Sequence, residues 1–223
     1  MVPPDHVLAR YVSHGPSGQP LDFRKHKRCD APMVADLQKI LAAAAAATSG
    51  GMVVFFPSYE YLSVIASGFS SMTGRLVFVE TKPQQGTQWS KEPPKTLQNF
   101  ERAVHKEGAA VLLAVSGGSL SEGIDFKDDL CRLVAVVGLP YPNASDLAMI
   151  EKMRFLDAKR TRSNEGLSGR DFYSAKCMKA VNQCIGRSIR HARDWSAIWL
   201  LDHRYAQPQI QQQISGWLRE AAK

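Results

Sequence analysis

Apolar residues fall along this chain in short dense runs separated by longer amphipathic stretches. The runs at 52–56, 109–115 and 132–138 are almost wholly apolar, and 196–202 is apolar up to a closing carboxylate. Such runs, bounded by Gly, Pro or Ser, read as strands buried on both faces. A further strand is predicted at 75–80 and a short one at 7–12. Between them the spacing predicts helices at 33–47, 60–67, 96–106, 145–159, 172–192 and 208–221. Pro32 suits the first turn of the 33–47 helix, and Gly50 and Gly51 are expected to stop it. The alanine run 42–47 favours helix and carries no chemistry. Strands alternating with helices predict an α/β fold with a mostly parallel sheet covered on both faces. Residues 1–31 mix Pro, Gly, His and basic residues without a period, so they are expected to form an irregular arm packing on a single domain at 32–223. The Pro/Gln/Gly stretch 81–95, with Trp89, and the polar stretch 159–170 read as connections without an assigned role.

Ligands of parallel sheets sit beyond the carboxyl ends of the strands. The 52–56 run is followed by Pro57, Ser58 and Tyr59, and the 109–115 run by Ser116, Gly117, Gly118, Ser119, Ser121, Glu122, Gly123, Ile124 and Asp125. Glycine and serine let main-chain amides and hydroxyls come close to phosphates, and Glu122 and Asp125 offer acceptors. A loop that is glycine-rich only in order to turn has the same composition, and the residues alone leave both readings open.

The C-terminal third adds cations. At about 100° per residue, Gln183, Arg187 and Arg190 fall within a wedge of about 60° on the predicted helix, while Cys177, Val181, Cys184 and Ile185 face an apolar neighbour. Arginine stays charged and can fork onto phosphate oxygens. Two arginines on a helix are commonly a solvated face. The buried strand that follows them argues for a placed role instead.

Bulk properties narrow the partners. With 223 residues and a formal net charge of +7, the chain suits one α/β domain with a polyanionic partner such as nucleic acid. Cys29, Cys131, Cys177 and Cys184 have no metal-ligand spacing, so reduced thiols and no metal site are expected, with Cys177 and Cys184 packing on one helical face. No apolar stretch has membrane-span length and no signal-peptide pattern opens the chain, which predicts a soluble intracellular protein without a membrane partner. There is no GxGxxG spacing, and no GxxxxGK[ST] loop occurs anywhere. ATP hydrolysis of the P-loop type therefore requires another lobe.

Three ordered segments carry a family resemblance. Residues 55–62, Phe-Phe-Pro-Ser-Tyr-Glu-Tyr-Leu, resemble motif IV of the superfamily 2 DNA helicases related to xeroderma pigmentosum group D. Residues 118–126 resemble their motif V, and 183–194 their motif VI. Segments 15–21, 137–143 and 177–183 are similar to the chromosome-loss, sister-chromatid-cohesion branch. The resemblance implies a second RecA-like motor domain, a three-layer sandwich from a 5′–3′ translocating enzyme of the nucleus. The lobe bearing the P-loop, the Mg²⁺-binding acidic box and an iron-sulfur cluster would be elsewhere, with no cluster in this chain.

Carried over by position, the resemblance makes Arg187 and Arg190 arginine fingers on ATP. Gln183, Gly186, Glu122, Asp125 and Asp194 would line the nucleotide cleft, with Asp194 equally placed to brace the arginines by pairing with one of them. Ser58, Tyr59, Gly117, Gly118, Ser119 and Ser121 would hold nucleic acid. Expected partners are single-stranded or forked DNA, the N-terminal helicase lobe, and replication or cohesion proteins, with the chain a monomer. A platform domain that binds nucleic acid or protein without motor function is the alternative, and an RNA-helicase lobe shares the architecture.

Overall fold

A computed structural model describes residues 3–82, 93–121, 124, 126–163, 166–189, 191 and 193–222. Six parallel strands form one sheet in the order β1-β6-β5-β2-β4-β3. They are β1 (Val7–Val12), β2 (Gly50–Phe56), β3 (Val77–Val79), β4 (Ala109–Val115), β5 (Leu133–Val137) and β6 (Ser196–Leu201). The helices are α1 (Ala31–Ala47), α2 (Tyr59–Ala66), α3 (Phe69–Thr73), α4 (Lys95–Glu107), α5 (Leu147–Ser163), α6 (Gly169–Ile185), α7 (Pro208–Gln211) and α8 (Gly216–Ala221).

The period of two along each central strand divides the core. Val53 and Phe55 of β2, Leu112 and Ala114 of β4, and Val134 and Val136 of β5 face α4, α6 and the C-terminal helices. Met52, Val54 and Phe56, with Val111, Leu113, Leu133 and Ala135, face α1, α2 and α3. Connections that step one way along the sheet use the α1–α3 layer and those that step back use the other, as right-handed crossovers require.

Several boundaries differ from the sequence expectation. Residues 7–12 form the expected short strand, and it is an edge strand paired in register with β6, while Leu21 and Phe23 are buried, so more of 1–31 is built into the domain than an irregular arm implies. Gly50 and Gly51 do not end α1; its last turn is closed by the Thr48 hydroxyl on Ala44 O at 2.7 Å, and both glycines belong to β2. A Cβ at Gly51 would meet Leu130 O at 2.1 Å, so glycine is needed there to let a neighbouring turn pass. The single C-terminal helix divides into α7 and α8 because Asn182 of α6 captures the intervening turn, accepting from Ser215 N at 3.0 Å and donating to Gln213 O at 2.9 Å.

The carboxyl end of β6 is filled by its own residues. Asp202, fully buried, accepts from Arg204 Nε and Nη2, both at 2.8 Å, and from Phe23 N at 3.3 Å. Beside it, Arg24 Nε donates to Asp22 Oδ1 at 2.8 Å, and chiefly this hydrogen bond holds the Asp22 carboxyl down at about 2. The folded pKa lies below the ordinary value of 3.8, so the stabilisation is present above that value and is lost as pH falls through about 2. Arg24→Ala is therefore expected to move the midpoint of acid unfolding to higher pH, modestly because Arg24 is half exposed. Far-UV circular dichroism during an acid titration at low salt checks the direction.

Candidate functional site

With the β6 end closed, the open carboxyl edge lies over β2, β4 and β3. Three loops meet there. Ser58 caps α2 by accepting from Tyr61 N at 3.3 Å, as its place before an apolar helical run suggests. Arg28 Nη2 also donates to the Ser58 hydroxyl at 3.0 Å, and the guanidinium lies 5.2 Å from the Tyr61 ring centroid. Arg28 has no signal in the sequence beyond its place in the basic run 24–28.

Tyr59 and the 116–121 turn are joined through a residue that sequence reasoning assigned only to a strand. Glu80, just past β3 and 4% exposed, accepts at Oε1 from Tyr59 Oη (3.1 Å), Ser119 Oγ (2.8 Å) and Leu120 N (3.1 Å). Its Oε2 accepts from Val115 N at 2.7 Å. Burial first, and then the charge of Glu80, raises the Tyr59 phenol to about 12. A Cβ on Gly118 would lie 2.8 Å from both Glu80 Oε1 and Tyr59 Oη, so this packing requires glycine, and Gly117 turns the chain at φ +77°. Ser121 is buried and donates to Gly118 O at 2.9 Å; it supports the turn rather than reaching outward.

The cationic segment stands elsewhere. α6 ends at Ile185, not near residue 192, so Gln183 and Arg187 do not share one helix, and Arg190 lies outside the described residues. Gly186 is the C-cap, Arg187 N and Ser188 N bond to Cys184 O and Ile185 O, and the Ser188 hydroxyl takes Ile185 O at 2.9 Å. These contacts satisfy the last carbonyls and turn the chain away. The helix also starts earlier than expected, because Ser168 and Asp171 form a capping box.

The described residues of 184–194 lie on one flank beside described residues of 116–132, from the carboxyl edge of the sheet to its amino edge. Successive contacts join the two segments. Cys184 Sγ lies 3.5 Å from Ser116 Oγ, Arg187 Nη1 donates to Ile124 O at 3.4 Å, His191 Nε2 is 3.0 Å from Asp128 Oδ1, and Asp194 Oδ1 accepts from Arg132 Nη1 at 2.9 Å. Gln183 and Gly186 are exposed and Arg187 is half-buried. Arg190, Glu122, Gly123 and Asp125 lie outside the described residues, as do Trp89 and most of the 81–95 loop.

Asp194 departs from its expected place at the nucleotide. It sits before β6 at the amino edge, buried, with Arg132 and the Trp195 amide on Oδ1. Arg132 also contacts Trp195 O at 2.9 Å, Asp129 Oδ1 at 3.0 Å and the Trp195 ring at 4.6 Å. The partner lies 62 residues upstream, out of reach of any local motif.

The fit to a metal is poor on this side. Among the described residues, Asp128, His191 and Asp194 approach one another closely enough to share an ion, but His191 is bonded to Asp128 and Asp194 to Arg132. Cys131, Cys177 and Cys184 are buried, and Cys177 and Cys184, both on α6, pack into one layer of the core. No helix among the described residues is long and apolar enough to cross a membrane.

The profile of the helicase C-terminal domain family matches residues 41–221. The chain belongs to this family. It is 39% identical over 230 residues to the mouse protein named ATP-dependent DNA helicase DDX11, covering 99% of this chain and 25% of that one. It is 36% identical over 227 residues to the Schizosaccharomyces pombe ATP-dependent DNA helicase chl1, covering 98% and 26%. The chain thus spans about a quarter to a third of the curated relatives it matches. Among solved structures it resembles S. tokodaii Xpd4, with a TM-score of 0.66, 21% identity, and 98% of this chain covered against 38% of that one. A structure titled XPD_Helicase gives a TM-score of 0.64 at 19% identity, covering 93% and 33%. The architecture of this helicase C-terminal domain is RecA-like.

Proposed function

We propose that the chain is the C-terminal motor lobe of an ATP-dependent 5′–3′ DNA helicase. In this reading it supplies Arg187 and Arg190 to a nucleotide held by a separate P-loop lobe and carries part of the single-strand track. The supporting observation is the pair of flank segments, 116–132 and 184–194, in contact along their length. One end of that pair is the Tyr59–Gly118–Ser119 edge and the middle carries Arg187, so side-chain contacts link the two. Ser58, Arg28 and the Gly117–Ser119 turn form the nucleic-acid side, while Gln183, Gly186 and Arg187 face the nucleotide, and Glu122 and Asp125, outside the described residues, couple the cleft to the DNA. Mg²⁺ and the iron-sulfur cluster belong to the partner lobe, and the assembled enzyme is a nuclear, monomeric DNA helicase acting with replication or cohesion proteins.

The chain alone is expected to bind single-stranded DNA weakly, with log affinity falling by about 0.7 per phosphate contacted for each tenfold rise in salt. It is expected to hydrolyse no ATP above background until the P-loop lobe is added. Fluorescence anisotropy against salt and a coupled phosphate assay measure the two; turnover by the chain alone that Arg187→Ala abolishes would refute the half-motor reading.

One observation favours a second reading. α5 packs against α6 and leaves Leu147 and Phe155 at 79% and 60% exposure, a surface suited to a docking platform. Partner capture without restored ATPase, unaffected by Arg187→Ala, would support that platform over the motor.

A further inference from the structure

Glu80 gathers four donors at the edge assigned to DNA. Two are main-chain amides, Val115 and Leu120, and two are the hydroxyls of Tyr59 and Ser119. A hydroxyl has one proton to give, and a carboxylate accepts only. With their protons directed to Oε1, Tyr59 and Ser119 keep lone pairs and no donor for anything arriving from outside. A phosphate oxygen is itself only an acceptor, so these two side chains cannot bind it directly. A neighbouring amide can. The Gly117 amide has no hydrogen-bond partner among the described residues, whereas the Ser119 amide bonds the Tyr59 phenol oxygen and the Ser58 hydroxyl, which accepts from Tyr61 N and Arg28, gives its proton to Glu60. Successive amides of the turn therefore divide: those of Val115 and Leu120 are spent on Glu80 and that of Ser119 on Tyr59, while that of Gly117 remains available.

We infer that Glu80 is a positioning residue for nucleic-acid binding, locking the Tyr59 and Ser119 hydroxyls inward and posing the Gly117–Ser119 turn so that the Gly117 amide is the phosphate donor. The inference rests on the DNA-contact reading above and changes which atoms carry it. Three strand ends, those of β2, β3 and β4, are tied by this one carboxylate. The absence of a Cβ at Gly118 is what lets the turn close on it. The raised Tyr59 phenol is the electrostatic counterpart of the same contact.

Glu80→Gln tests the assignment without changing shape. In either orientation the amide –NH₂ faces a main-chain N–H, of Val115 or of Leu120, which cannot accept, so the turn is released. Binding of a labelled oligothymidine to the 223-residue chain is measured by anisotropy, well below the melting temperature of each variant. Glu80→Gln is expected to weaken binding about tenfold or more and to flatten the salt dependence by about one phosphate, whereas Tyr59→Phe and Ser119→Ala change affinity by less than about threefold. A purely structural Glu80 would lower the melting temperature and leave affinity and salt slope intact, which overturns the inference. So does a tenfold loss in Tyr59→Phe or Ser119→Ala, since the hydroxyls would then be the phosphate donors. Amide exchange by NMR judges the lock without DNA: Val115 and Leu120 are expected to be protected in the unaltered chain and to exchange faster in Glu80→Gln, and unprotected amides in the unaltered chain overturn it. An unaltered chain that fails to bind oligothymidine even at low salt refutes the DNA reading itself, a result distinct from equal binding by the unaltered chain and Glu80→Gln.

Discussion

Arg187→Ala is expected to cut ATP turnover of the helicase assembled from this domain and its P-loop lobe by about 10³-fold or more, the effect of removing an arginine that meets transition-state charge on a transferring phosphate. That loss corresponds to about 4 kcal/mol of barrier. Arg187 is half-buried at the turn after α6, where Nη1 donates to Ile124 O at 3.4 Å. The loss should appear in kcat with KM for ATP changed far less, because the interaction strengthens as charge develops. Arg187→Lys is expected to recover only a fraction, since an ammonium keeps the charge and loses the fork. Single-turnover and steady-state ATPase assays, with thermal melts as the folding control, measure these effects. Wild-type kcat in Arg187→Ala would remove the finger assignment.

Legibility of the fold followed from burial on both faces. β4 matches its predicted bounds because 109–115 is apolar without interruption and closes on Ser116 and Gly117. β1 was read only as a short strand in an otherwise irregular arm, since Leu8, Arg10 and Tyr11 give an edge strand little contrast; its place was set by pairing with β6, which the local sequence does not encode. The break between α7 and α8 depends on Asn182, about thirty residues away, and so had no local sign.

For the site, what could be read was chemistry by strand end, and what could not was partnership. Tyr59, Gly118 and Ser119 do converge on one edge, as their positions after β2 and β4 imply. Glu80 was hidden because a carboxylate after a short strand looks solvated until the loops of two other strands close over it. The supposed arginine comb failed for a local reason that was visible in the sequence: Gly186 followed by Ser188 is a helix stop, and the assumed periodicity was carried through it. Asp194 was misplaced because a polar residue before a buried strand marks the amino edge, opposite the edge where ligands of such sheets bind.

Asp194→Ala is the substitution with the largest expected cost in stability, about 3–5 kcal/mol, the range for breaking a buried ion pair from one side. The Asp194 side chain is fully buried and that of Arg132 is 9% exposed, so the guanidinium left behind has little water to replace its partner. It would keep Asp129, which is mostly exposed, Trp195 O and the Trp195 ring, none of which supplies a buried negative charge. For a domain of this size the loss lowers the melting temperature by about 6–20 °C. Asp194→Asn should cost less, because its carbonyl can still accept from Arg132 while the charge goes unmatched. Replacing both partners, Arg132→Met with Asp194→Leu, should recover much of the deficit, since the desolvation of two ions is then avoided altogether. Urea unfolding monitored by circular dichroism measures all three, and an Asp194→Ala value within about 1 kcal/mol of the unaltered chain would show that the pair is not a brace. Because Asp194 ties the start of β6 to the start of β5, its loss should loosen the lower end of the flank on which Arg187 rides. The upper end, where Glu80 holds the turn, is fastened independently. DNA affinity of folded Asp194→Asn is accordingly expected to match the unaltered chain even as its stability falls, a separation that no variant at Glu80 should show.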